Sequence, residues 1–245
     1  MTRIGTLACA VAAVLLVSAD NAPSDSVATD KATSDKAALA RLQSYVGSWK
    51  GVGQPKRGSP TGAWTEEAEW AWHFADGRAE LVAANTTSKF YDKLQLRPAD
   101  KTGQFVLLAT PAGGGELDSF AGSLDADGQL VVTAAKPRED APARISIRQV
   151  AGGDRLIVLY EKLLGGDRYA RLAEVGSTRK GSSFGKGGDG YPECIVTGGR
   201  GSMKVEHAGK SYYVCCTGCR DEFLEHPEKI LAEYQARKAK DKEKK

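Results

Sequence analysis

From Val46 to about Glu174 the chain repeats with a period of two, and this run limits the folds open to it more than any other feature. Trp64 to Phe74, Arg78 to Ala84, Phe90 to Arg97, Gln104 to Thr110, Leu117 to Leu124, Gln129 to Ala135, Ala143 to Val150, Arg155 to Glu161 and Arg168 to Glu174 each alternate as a half-buried strand does. Turn residues separate them: Asp76-Gly77, Asp100 to Gly103, Asp127-Gly128, Gly152 to Asp154 and Gly165 to Asp167. No helical period intervenes. Short strands joined by hairpin turns predict a mainly β chain, an antiparallel meander closing into a barrel or sandwich, because an open sheet of this size would leave two long edges.

Gly47-Ser48-Trp49 opens the first strand directly after a short helical pattern, Lys36 to Tyr45, with Leu39 and Leu42 on one side. This resembles the Gly-x-Trp start of lipocalin-like (calycin) barrels. The resemblance implies a barrel domain over 36–175, with the tryptophan plugging the closed end and an arginine of the last strand, Arg171 or Arg179, packed over it. Within this region the residues suggest no catalytic set. His73 is the only histidine, and a lone strand histidine is far more often structural than a ligand. Glu66, Glu67, Glu69 and Asp76 have no acid–base partner at a suggestive spacing. A barrel of this size either holds a small apolar ligand or fills its interior with side chains.

The flanks are simpler. Residues 1–19 combine a positive start, an apolar run from Ile4 to Val17 and Val17-Ser18-Ala19, the pattern of a cleaved export signal. The expected setting is periplasmic or extracellular, with no stable membrane anchor after cleavage. Residues 20–35 are small and polar and read as a disordered linker. Residues 176–190 are a Gly/Ser-rich linker without the pattern of a phosphate-binding loop. Residues 237–245 form a basic tail with six positive and two negative charges, read as a solvated, frayed helix end. Without that tail the formal charge of +3 is nearly abolished, and no aromatic residue interleaves with the basic ones, so nucleic-acid binding has no support.

Beyond the signal, four cysteines remain, Cys194, Cys215, Cys216 and Cys219, all in the last quarter. They serve one local site and do not staple the whole molecule. Met203 to Glu206 and Ser211 to Val214 predict two strands about the turn Ala208-Gly209. The second strand leads into a helix over Thr217 to Glu225, and another helix begins at Pro227. Cys215 then lies at a strand end, Cys219 in an opening helical turn that favours thiolate, and Cys194 on the knuckle-like turn Cys194 to Gly198. Three sulfurs can converge there as in soft-metal sites. About 45 residues make too little core to stand alone without a metal or bridges.

Cys194, twenty intervening residues, then Cys215-x3-Cys219, with Gly209-Lys210, Tyr212-Tyr213, Phe223 and Pro227-Glu228-Lys229, closely resemble the YHS/TRASH family. That resemblance implies a small α+β, treble-clef-like metal-binding module over 191–236, associated with heavy-metal handling, its transition metal zinc or copper. Cys216 departs from the pattern and is a candidate fourth ligand, with His207 and His226 as rivals. Three functional readings follow. The first is a non-enzymatic protein that binds or buffers a soft or borderline metal. The second is a thiol–disulfide oxidoreductase using Cys216-x-x-Cys219, and the third a carrier of a small apolar ligand in the barrel. A structural disulfide is the plain alternative for the cysteines in an oxidising compartment.

Overall fold

The computed structural model describes residues 25–180 and 192–243. The export signal, the first residues of the expected linker at 20–35 and residues 181–190 of the glycine-rich stretch lie outside them. Ten antiparallel strands run in chain order: β1 (Gly47–Gln54), β2 (Trp64–Ala75), β3 (Arg78–Thr86), β4 (Tyr91–Pro98), β5 (Gln104–Pro111), β6 (Asp118–Leu124), β7 (Leu130–Ala134), β8 (Arg144–Val150), β9 (Arg155–Gly165) and β10 (Arg168–Arg179). Each pairs with its neighbour in sequence, and β10 returns to β1, closing a barrel. Alternation sets the interior: Leu81 and Ala83, Leu94 and Leu96, Leu107 and Ala109, Leu130 and Val132, and Ile145 and Ile147 are buried on successive strands.

One end of the barrel is sealed as the Gly-Ser-Trp start implies. A 3-10 turn, Ala40–Tyr45, crosses it, and the Tyr45 hydroxyl donates to the Ile147 carbonyl at 2.9 Å. Trp49 is fully buried and its indole N–H donates to the Tyr45 carbonyl at 2.8 Å. Arg179, not Arg171, covers it: the guanidinium carbon lies 4.2 Å from the Trp49 ring centroid, and Nη1 and Nη2 donate to the carbonyls of Val46 and Ser44 at 2.6 Å each. Gly47 has φ +135°, and a Cβ there would lie 2.3 Å from Arg179 Nη1, so only glycine fits beneath the arginine. Arg171 bonds the Gln54 carbonyl near the opposite end.

That opposite end is filled by rings. Phe90 and Tyr160 meet at 4.7 Å, and Tyr91 touches Tyr160 and Phe120, each at 6.1 Å between centroids. Glu66 is buried among them and accepts from the Trp64 indole at 2.8 Å. Burial holds its carboxyl above the usual range, against the hydrogen bonds from Trp64 and Ser88.

Two expectations for the flanks are corrected. Residues expected to be linker belong to α1 (Asp25–Leu39), which packs on β3. Its buried face runs through Asp35 and Leu39 to Leu42 at helical spacing, but the first of these positions carries a carboxylate, so hydrophobic periodicity does not reveal it. Asp35 is 1% exposed and accepts from Arg78 Nε at 2.6 Å and from the Ala79 N–H at 3.3 Å, with Lys31 3.5 Å away. The stretch read as linker from residue 176 is still β10 as far as Arg179, paired with β1 through Gly176↔Val52 and Ser177↔Gly51. The basic tail continues a helix, α3 (Pro227–Glu243). Among the described residues no helix is long and apolar enough to cross a membrane.

Two measurements check these contacts. Asp35→Ala removes the ion pair and strands the Ala79 N–H; the expected loss is ~2 kcal/mol by urea unfolding. For Glu66 the folded-state value lies above that of the unfolded chain. Its contribution is therefore complete below the unfolded value, ~4.3, and is lost as pH rises through the folded one. Glu66→Gln should raise the urea midpoint at neutral pH, with the gain closing near pH 4.

Candidate metal centre

The C-terminal segment forms a hairpin, β11 (Met203–His207) and β12 (Lys210–Val214), followed by α2 (Thr217–Glu225) and then α3. Ala208 and Gly209 turn the hairpin with φ of 49° and 72°. The knuckle closes through Gly198 N–H to the Cys194 carbonyl at 2.8 Å and Cys194 N–H to the Gly199 carbonyl at 2.7 Å. Ile195 N–H donates to the Tyr213 carbonyl at 2.8 Å, fixing the knuckle to the hairpin.

Two segments thus bring the cysteines together. The Sγ atoms of Cys194, Cys215 and Cys219 lie within 4.8 Å of one another, and those of Cys215 and Cys219 are 3.5 Å apart. All four cysteines, Cys216 included, are buried and free. Sulfurs bound to one tetrahedral zinc are separated by roughly 3.8 Å, so the three fit a single ion with little movement. This cluster could hold a metal.

Electrostatics favour a cation there. Cys194 is held well below the usual thiol range because it accepts the S–H groups of Cys215 and Cys219. Cys215 is pushed up, first by its contact with Cys194 and then by that with Cys216, and Cys219 is pushed up by burial and by its sulfur neighbours. Crowded sulfurs sharing protons in this way offer a site that a metal ion would stabilise. Burial and the nearby Arg200 bring Arg179 down to about 10, while Asp154 and Cys215 act in the opposite direction. The cation that seals the barrel thus also lies in the field of the cysteines.

Cys216 neighbours Cys215 and Cys219 without joining the group of three. Its sulfur is 4.0 Å from that of Cys215 and accepts the Trp72 backbone N–H from the barrel at 3.3 Å. The rival histidines lie outside the group too. His207 packs edge-on against Phe223 at 5.7 Å, with Glu228 3.6 Å from its Nε2. His226 terminates α2, and its carbonyl accepts from Ile230 N–H at the start of α3. His73 is exposed on the barrel wall, 3.0 Å from Glu80.

Several supporting residues carry no motif. Arg237, placed in the tail by its charge run, donates to Glu193 at 2.8 Å and to the carbonyls of Cys194 and Ile195 at 3.3 and 3.0 Å. Lys238 pairs with the other oxygen of Glu193. The module is also not self-contained: Ile195, Val196, Val205, Val214, Phe223 and Ile230 are continuous with the barrel core. Leu224, the neighbour of the buried Phe223 on α2, is 56% exposed.

Arg237→Ala should release the knuckle. The expected result in metal-free protein is a rise of about tenfold in the labelling rate of Cys194 by a maleimide, read by mass spectrometry, with Cys219 much less affected.

No family model matches the chain, and no curated protein matches it. Among solved structures, the crystal structure of Rv2717c from M. tuberculosis aligns with a TM-score of 0.38 at 18% identity, covering 58% of this chain and 97% of that one.

Proposed function

We propose that this chain is an exported, non-enzymatic metal-binding protein that binds or buffers a soft or borderline transition metal, zinc or copper, through Cys194, Cys215 and Cys219. The observation that carries the reading is the convergence of three buried, free thiols from separate segments to within 4.8 Å. Thiolates select such metals over hard cations. The order knuckle, hairpin, helix, together with the spacing of the ligands, supports a YHS/TRASH-type module. Trp49 beneath Arg179 supports a calycin-like barrel. Export rests on the character of residues 1–19. A carrier function draws less support, since Tyr91, Phe120 and Tyr160 meet inside the barrel. An oxidoreductase would need an accessible attacking sulfur, and Cys216 is 4% exposed.

The test is metal and thiol content of the chain purified without chelator, followed by titration with zinc and, anaerobically, copper(I). One ion per chain is expected, lost in Cys194→Ser and Cys219→Ser and kept in His73→Ala. A chain that takes up neither metal, or that loses two thiols to a disulfide under mild oxidation and then reduces disulfides dependent on Cys216, overturns the reading.

A further inference from the structure

We propose that Cys216 is a positioning residue, not a ligand, and that its sulfur makes docking of the cysteine module on the barrel depend on the metal. This rests on the metal-binding reading above. The register of β2 supplies the first observation. β2 pairs with β1 only from Trp64 to Trp70, opposite Gly53 to Gly47, yet continues to Ala75. Trp72 is the next residue after Trp70 whose N–H and carbonyl face that side, where no strand follows. Its N–H finds Cys216 Sγ at 3.3 Å.

The carbonyl of Trp72 gives the second observation. A Cβ at Gly218 would lie 1.7 Å from that oxygen, so the first turn of α2 rests directly on the strand edge. Cys216 and Gly218 alternate with the ligand positions: Cys215 precedes the first, and Cys219 follows the second. Five residues therefore carry two ligands on one side and the barrel contact on the other. Fixing Cys215 and Cys219 to one ion shared with Cys194 orders this turn and holds Cys216 against Trp72. Without the ion, the same three sulfurs crowd one another, and the turn meets the knuckle through weak sulfur contacts such as that of Cys215 Sγ with Thr197 Oγ1 at 3.7 Å. Cys216 itself is outside the group of three and already serves as acceptor for the barrel.

Hydrogen exchange of the Trp72 amide, followed by NMR on the full chain with and without one equivalent of zinc or copper(I), tests this. The quantity read is its rate relative to the Val132 amide, on β7 in the opposite wall. Metal should slow Trp72 by at least ~10-fold in the wild type. Cys216→Ala and Gly218→Ala should still bind one ion while metal no longer slows Trp72, and Cys216→Ser, which keeps an acceptor, should recover part of the effect. Loss of the ion in Cys216→Ala would make Cys216 a ligand and overturn the proposal. So would a wild-type chain that binds metal with Trp72 exchange unchanged, which leaves the metal-binding reading intact. A wild type that binds no metal overturns both.

Discussion

A strand longer than its neighbour leaves backbone groups that must be satisfied, and the lower end of β2 organises much of this molecule around that need. Buried N–H and C=O groups are costly to leave unpaired. At Trp72 the N–H finds a sulfur 144 residues further along the chain, and the turn at Gly218 lies against the carbonyl. The cysteine module sits where it does because that edge is open, and its core merges with the barrel's because the edge lies beside the plugged end.

The plugged end adds charge to the same place. Arg179 lies over Trp49, ties three carbonyls from two segments, Ser44 and Val46 before β1 and Gly153 before β9, and lies in the field of Cys215. On the far side of the cluster, Arg237 reaches the carbonyls of the knuckle. Both guanidinium groups fill the directional demands of several backbone oxygens at once, which an ammonium group meets less well.

Much of this was legible in the residues. Period-two alternation and Asp-Gly turns located the strands, mostly to within two residues, because each strand has one wet face and one dry one. Pro227 marked the break between α2 and α3 because it cannot continue a helix but can begin one. The cysteine spacing identified the sulfurs that meet. What stayed hidden shares one cause: long-range polar contacts. Asp35 looks like linker composition until Arg78 is brought beside it. Arg237 looks like a solvated tail until Glu193 meets it. Cys216 looks like a spare ligand, and only the end of β1 reveals its acceptor role.

The great distance in sequence between Trp72 and Cys216 also bears on how the molecule assembles. β2 is made well before the segment that covers its edge, so a growing chain presents a bare strand edge flanked by Trp70, Trp72 and Phe74 until Cys216 and Gly218 have been added. Such an edge is a template for pairing with other chains. The cysteine module is thus also a late-arriving guard for the sheet, and a chain ending before it would expose that strand edge to other molecules.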